Sequence, residues 1–326
     1  MIKLLGSLKD YIKIPDITTD SAVFRLHNLF TAALLMMCSL IITATQYVGN
    51  PIQCIVNGLP THPINTFCWI TSTFTMPDAF RRQVGICCYT PKFLWDSIEG
   101  GLMRTIVMGL NFGLCVEKEK EKKKKCSESY CHTNFANRHN SYAVKYWMCE
   151  ALCLINVVGQ LYLMNKFFDG EFLSYGLRVM SFTEQAQEER VDPMVYVFPR
   201  VTKCTFHKYG ASGTIQKHDS LCILPLNVVN EKTYIFIWFW FMILLALLIG
   251  LVAYRALIIA VPSVRPRLLR TRNRMVSLDV ADAISKKTDV GDWWILYMLG
   301  RNLDPLIYRE IVTELAKKIE IAFSNR

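Results

Sequence analysis

Tyr234 to Tyr254, YIFIWFWFMILLALLIGLVAY, is a run of 21 residues without a charge. At 1.5 Å of rise per residue, a helix of that length covers about 30 Å, the thickness of a bilayer's hydrocarbon core. Tyr234, Trp238 and Trp240 crowd one end as an interfacial belt, and Arg255 follows the other. Composition agrees with a membrane fold: 52% of the 326 residues are hydrophobic and the mean hydropathy is +0.23. Leu29 to Val48 (LFTAALLMMCSLIITATQYV) is a second uncharged run of sufficient length. Tyr146 to Met164 (YWMCEALCLINVVGQLYLM) is a third, interrupted by Glu150, Asn156 and Gln160. Lipid solvates none of these three side chains, so the helix must turn them toward other helices or water. They mark either a pore-facing surface or a packing surface, the latter with Glu150 snorkelling near the span's end and the amides bonding between helices.

Lysine and arginine orient the spans, because short cytoplasmic loops carry the excess of positive charge. Four of the 37 lie in residues 1–28, two in 49–85, ten in 86–145, eight in 165–233 and thirteen from Arg255 onward. The chain then reads as a cytoplasmic N-terminal segment (1–28), a membrane helix (29–48) and an extracellular loop (49–85). A cytoplasmic loop (105–145), a membrane helix (146–164), a second extracellular loop (165–233), a membrane helix (234–254) and a cytoplasmic tail (255–326) follow. Parity then requires one more crossing before the lysine run at Lys122 to Lys125, yet residues 86–104 offer only a short, interrupted apolar stretch (ICCYTPKFLW). Lys3, Lys9, Lys13 and Arg25 among scattered apolar residues do not form a secretory leader, so the first apolar run is expected to stay as an anchor. The net charge of +10 sits in blocks beside apolar runs with no zinc-finger or RNP signature, which argues against nucleic acid. The run from Lys118 to Lys125 suits a solvated loop and also the anionic lipids of the inner leaflet.

Four of the twelve cysteines, Cys54, Cys68, Cys204 and Cys222, fall in the two extracellular loops. Their wide spacing is unlike the CxxC pairs of structural zinc, and an oxidising compartment favours disulfides. Four cysteines allow three connectivities, and spacing does not choose among them. Cys126, Cys131 and His132 lack a fourth ligand, so no metal site is expected. No nucleophile elbow, HExxH, P-loop or dinucleotide fingerprint is present, which points away from an enzyme and from any cofactor.

The string Tyr47-Val-Gly-Asn-Pro-Ile-Gln-Cys54 followed by Asn65-Thr-Phe-Cys68-Trp-Ile resembles the first extracellular loop of innexins. Asp192-Pro-Met-Val-Tyr-Val-Phe-Pro-Arg-Val-Thr-Lys-Cys204 and Lys217-His-Asp-Ser-Leu-Cys222 resemble their second. With Asn165-Lys-Phe-Phe-Asp-Gly-Glu-Phe and Gly291-Asp-Trp-Trp, the resemblance covers nearly the whole chain and leans toward the insect innexin-2 type. It implies a mainly α, polytopic bundle of transmembrane helices with disulfide-stapled extracellular loops and a helical cytoplasmic domain. It also implies subunits of gap-junction channels and hemichannels that pass ions and small solutes, assembled in a ring with other innexin subunits and docked to the ring of the adjacent cell. The pairs implied are Cys54 with Cys222 and Cys68 with Cys204; pairing within each loop is the alternative. Asp16 and Asp20, ahead of the first span, become candidates for the pore lining, with helix capping as the other role. The departure is the second family helix: its tyrosine-rich YYQxW opening is missing, and Arg81-Arg-Gln-Val-Gly85 runs almost directly into what looks like that helix's cytoplasmic end. A chain so shortened either still conducts or co-assembles with full-length partners and modulates them.

Overall fold

The computed structural model describes residues 17–56, 58–72, 78–107, 139–184, 195 and 197–324. Among these, three helices are long and apolar enough to cross a membrane: α1 (Ala22–Val48), α5 (Asn140–Phe167) and α7 (Pro225–Ala260). Each outruns its apolar stretch, because the i to i+4 ladder propagates cheaply into flanking polar residues once nucleated. In α1 the ladder opens by one residue over Leu26–Phe30, where the Thr31 amide and hydroxyl both reach the Leu26 carbonyl. Such π-turns concentrate at functional positions.

The helix α3 (Asp78–Glu99) begins ahead of the 86–104 stretch expected to be a remnant span. It carries Asp78, Arg81, Arg82, Lys92, Asp96 and Glu99, and it is not one of the three apolar helices. Gly100 and Gly101, at φ of 58° and 80°, turn the chain into the short α4 (Leu102–Val107). The lysine run, Cys126, Cys131 and His132 lie outside the described residues.

The chain divides into two compact units. One comprises residues 25–91 and 152–249. Its sheet of β1 (Gln53–Ile55), β2 (Val201–Tyr209) and β3 (Ile215–Ile223) is antiparallel in the order β1-β3-β2. The helices α2 (Thr61–Ser72) and α6 (Glu171–Glu184) complete it with most of the apolar length of α1, α5 and α7. Between α5 and α6 the Asn165 motif forms its own turn. The Asn165 side chain accepts from the Leu173 amide at 3.1 Å, the Asn165 carbonyl from the Gly170 amide, and Asp169 and Gly170 take positive φ.

The other unit comprises residues 1–24, 92–151 and 250–326. Here α8 (Arg265–Arg272), α9 (Leu278–Lys287), α10 (Val290–Asn302) and α11 (Pro305–Ser324) pack around a nearly fully buried α10, as expected of a helical domain after Arg255. Ser277 caps α9 by accepting the Val280 amide.

Candidate functional site

The cap is built where the two loops meet. Cys54 and Cys222 face each other across the β1–β3 ladder with Cα atoms 4.0 Å apart, and a disulfide joins them. A second disulfide ties Cys68 on α2 to Cys204 on β2. Ile52, Ile64 and Leu224 bury themselves around the four sulfurs, with Phe67 and Phe206 edge to face at 5.2 Å. The Asn65 side chain accepts the Cys54 amide at 2.8 Å, and the Ser220 hydroxyl donates to the Cys204 carbonyl at 2.9 Å. Strand alternation sends the other face outward: Ile55, Val201, Leu221 and Ile223 are exposed there, beside an ion pair of Lys203 with Asp219 at 2.7 Å. The Lys203 ammonium and then the Thr205 hydroxyl hold the Asp219 carboxyl below the ordinary aspartate range. The cap is stitched to the start of α7, where Arg200 grips the buried Glu231 through Nε and Nη2 at 3.1 and 2.9 Å.

The polar residues of the third span separate into two groups. Asn156 donates toward His27 Nε2 at 3.5 Å and accepts from Gln160 at 3.3 Å, while His27 Nδ1 lies 2.8 Å from Asn28 Oδ1. His27 and Asn28 belong to the π-turn of α1, so Asn156 bonds between helices, whereas Gln160 bonds to Asn156 within α5. Glu150 does not snorkel. It is 1% exposed and holds Arg255, itself 7% exposed, through Nε at 2.6 Å and Nη2 at 2.9 Å. The guanidinium lies over the Trp294 ring, 4.5 Å from its centroid. The sequence signal for this pair was a lone arginine directly after an uncharged span and a lone glutamate inside another.

Asp16 lies outside the described residues. Asp20, the other pore-lining candidate, is 6% exposed within the subunit, and Lys92 takes its carboxylate at 2.6 Å. The geometry thus gives Asp20 an anchoring place rather than a lining one. Three further contacts fasten the same segment. Asn302 brackets Thr18, accepting its amide at 2.7 Å and donating to its carbonyl at 3.0 Å. Arg301 donates to the Asp20 carbonyl, and the Tyr146 hydroxyl accepts the Ser21 amide.

The Gly291-Asp-Trp-Trp motif has one task per residue. A Cβ on Gly291 would stand 2.3 Å from the Asn140 amide nitrogen, so only glycine permits the approach. Asp292 meets His139 at 2.8 Å, the Trp293 indole donates to the Arg265 carbonyl, and Trp294 carries Arg255. Sequence reasoning found the motif but not Lys92, Arg301 or Asn302, whose partners are far away in the chain.

Comparison with known proteins places this arrangement. A family model described as Innexin matches residues 20–85 and 83–319. Innexin inx1 of Schistocerca americana is 66% identical over 100% of this chain and 99% of its own length. Innexin inx1 of Drosophila melanogaster is 60% identical over the same shares. Innexin inx2 of Drosophila melanogaster is 42% identical over 98% of this chain and 96% of its own, so the lean toward the innexin-2 type is corrected to inx1. The family match breaks at residues 83–85, and an alignment of 360 positions with a chain of 326 leaves 34 positions that this chain does not fill.

Proposed function

The chain belongs to the innexin family, the subunits of gap-junction channels, and we propose that it joins a ring of innexin subunits in the plasma membrane and docks through its disulfide-stapled cap. The observation that carries this is the cap itself. Two bonds that span 168 and 136 residues of sequence tie the two loops together in one cap, whose outer face mixes Ile55, Val201, Leu221 and Ile223 with the Lys203–Asp219 ion pair. A surface of that kind can be matched by another ring without ordering flexible loops at the moment of contact. Conduction needs no catalytic group, since pore width, lining charge and wetting set selectivity.

The disulfides also bear on the missing helix. With both loops on one side of the membrane, α5 must start on the other, so the chain between Ser72 and His139 has to cross. Among the described residues there, α3 is the helix long enough, at about 33 Å for its 22 residues. Between Arg82 and Lys92, however, only nine residues are uncharged, about 14 Å of helix against a core of about 30 Å. A crossing of this kind has to be shielded by protein or water rather than lipid. That observation favours a second reading, in which this chain co-assembles with full-length innexins and lowers their conductance.

Junctional conductance between paired cells separates the two. Current from this chain alone supports the channel reading. No current alone, with reduced current when a full-length inx1 is co-expressed, supports the modulator. Sidedness tests the premise of both: Cys204 and Cys222 should react with an impermeant thiol reagent on intact cells only after external reduction. Labelling that instead needs permeabilisation would place the cap inside and end the docking proposal.

A further inference from the structure

The helix α8 follows the last span after only Val261 and the 3-10 turn Pro262–Val264. Residues 255–260 carry α7 about 9 Å past the apolar run that ends at Tyr254, through a headgroup layer about 5–8 Å deep. Arg265 then folds back and donates from Nε to the Ile258 carbonyl and from Nη2 to the Ile259 carbonyl, both at 3.1 Å. It caps the orphan carbonyls of the span's last turn with a positive charge, and it pins the start of α8 within one side chain's length of that turn.

The arginines that follow are disposed unequally. Arg272 donates to the Tyr297 hydroxyl and lies over that ring at 4.4 Å. Arg267, Arg270 and Arg274 are exposed, and among the described residues none of them has a carboxylate partner. The nearby Asp282 on α9 is taken by Lys286 at 2.6 Å. Val261, Met275 and Leu278 are exposed apolar side chains in the same stretch. Unneutralised arginines mixed with exposed apolar groups, held where α7 leaves the headgroup layer, have the chemistry of a surface for anionic phospholipid.

We propose that Arg267, Arg270 and Arg274 form a binding site for the headgroups of anionic phospholipids in the leaflet where α7 ends. The bilayer is the source rather than free phosphate, because the site is fixed to the end of a membrane span. The proposal rests on α7 crossing the membrane and not on whether the chain conducts, so junctional currents and lipid affinity fail independently.

The test uses the purified full chain in neutral detergent, titrated with dioctanoyl phosphatidylserine, dioctanoyl phosphatidylcholine and glycerophosphoserine. Saturable binding is expected for phosphatidylserine alone, weakening about fivefold for each arginine changed to glutamine. The triple variant should keep its thermal midpoint in lipid-free detergent, as expected for exposed positions. Unchanged affinity in that variant would overturn the proposal. So would equally tight binding of glycerophosphoserine, which would make this a free-anion site. Loss of affinity on changing Lys122 to Lys125 to glutamine, with the arginine variant unaffected, would move the lipid contact to the lysine run and overturn it as well.

Discussion

Arg255→Met, Glu150→Leu and the double variant together measure what the buried pair does. The two charges lie in bidentate contact at 2.6 and 2.9 Å and are almost wholly removed from water. Taking away one partner strands the other, which costs about 3–5 kcal/mol and raises the population of opened forms by about two to four orders of magnitude. The two single changes leave different charges behind. Without Glu150, the guanidinium still rests over Trp294 at 4.5 Å and Tyr254 at 5.5 Å, contacts worth about 1–2 kcal/mol. Without Arg255, the carboxylate has no such cushion but can neutralise itself by taking up a proton, which a guanidinium cannot. Both single variants should therefore be destabilised, and the double variant should recover most of the loss, since apolar residues of similar volume often replace a buried pair at no cost. The assay is thermal unfolding of the purified subunit, read by a thiol-activated fluorophore reaching the buried Cys149 and Cys153, with labelled sites assigned by mass spectrometry. Additive single effects, with coupling below about 0.5 kcal/mol, would mean that Glu150 and Arg255 do not act as a pair.

Peptide mapping without reduction should recover Cys54 linked to Cys222 and Cys68 to Cys204, and replacing either pair with serine should cost about 2–5 kcal/mol of cap stability and abolish docking in a dye-transfer assay. Gly291→Ala forces a methyl into the backbone at Asn140 and should destabilise by about 1–3 kcal/mol in the same thermal assay, whereas Gly159→Ala, which meets nothing within 4 Å, should be silent there. Asp20→Asn takes away the carboxylate that holds Lys92 at 2.6 Å and should shift the emission of Trp95, whose indole reaches Thr19 at 3.5 Å. A Trp95→Phe variant supplies the background from the other tryptophans.

Local composition carries the membrane class, the three apolar runs, the expectation of which side the basic segments take and the place where a crossing is short. These are additive properties of local composition: 20 apolar residues partition into lipid whatever surrounds them, and lysines resist translocation one at a time. The family resemblance was legible for the same reason, since its motifs are contiguous strings. Which groups meet is set by the folded chain. Whether Glu150 snorkels or pairs depends on Arg255 being 105 residues away in the chain and 2.6 Å away in space. Whether Asp20 faces a pore or an anchor depends on Lys92. Cys54 finds Cys222 because β1 and β3 share a register, a choice among three pairings that spacing could not make. Burial makes such contacts strong, because a charge or a polar group withdrawn from water must find its partner inside the protein, and only the folded chain says which partner is within reach.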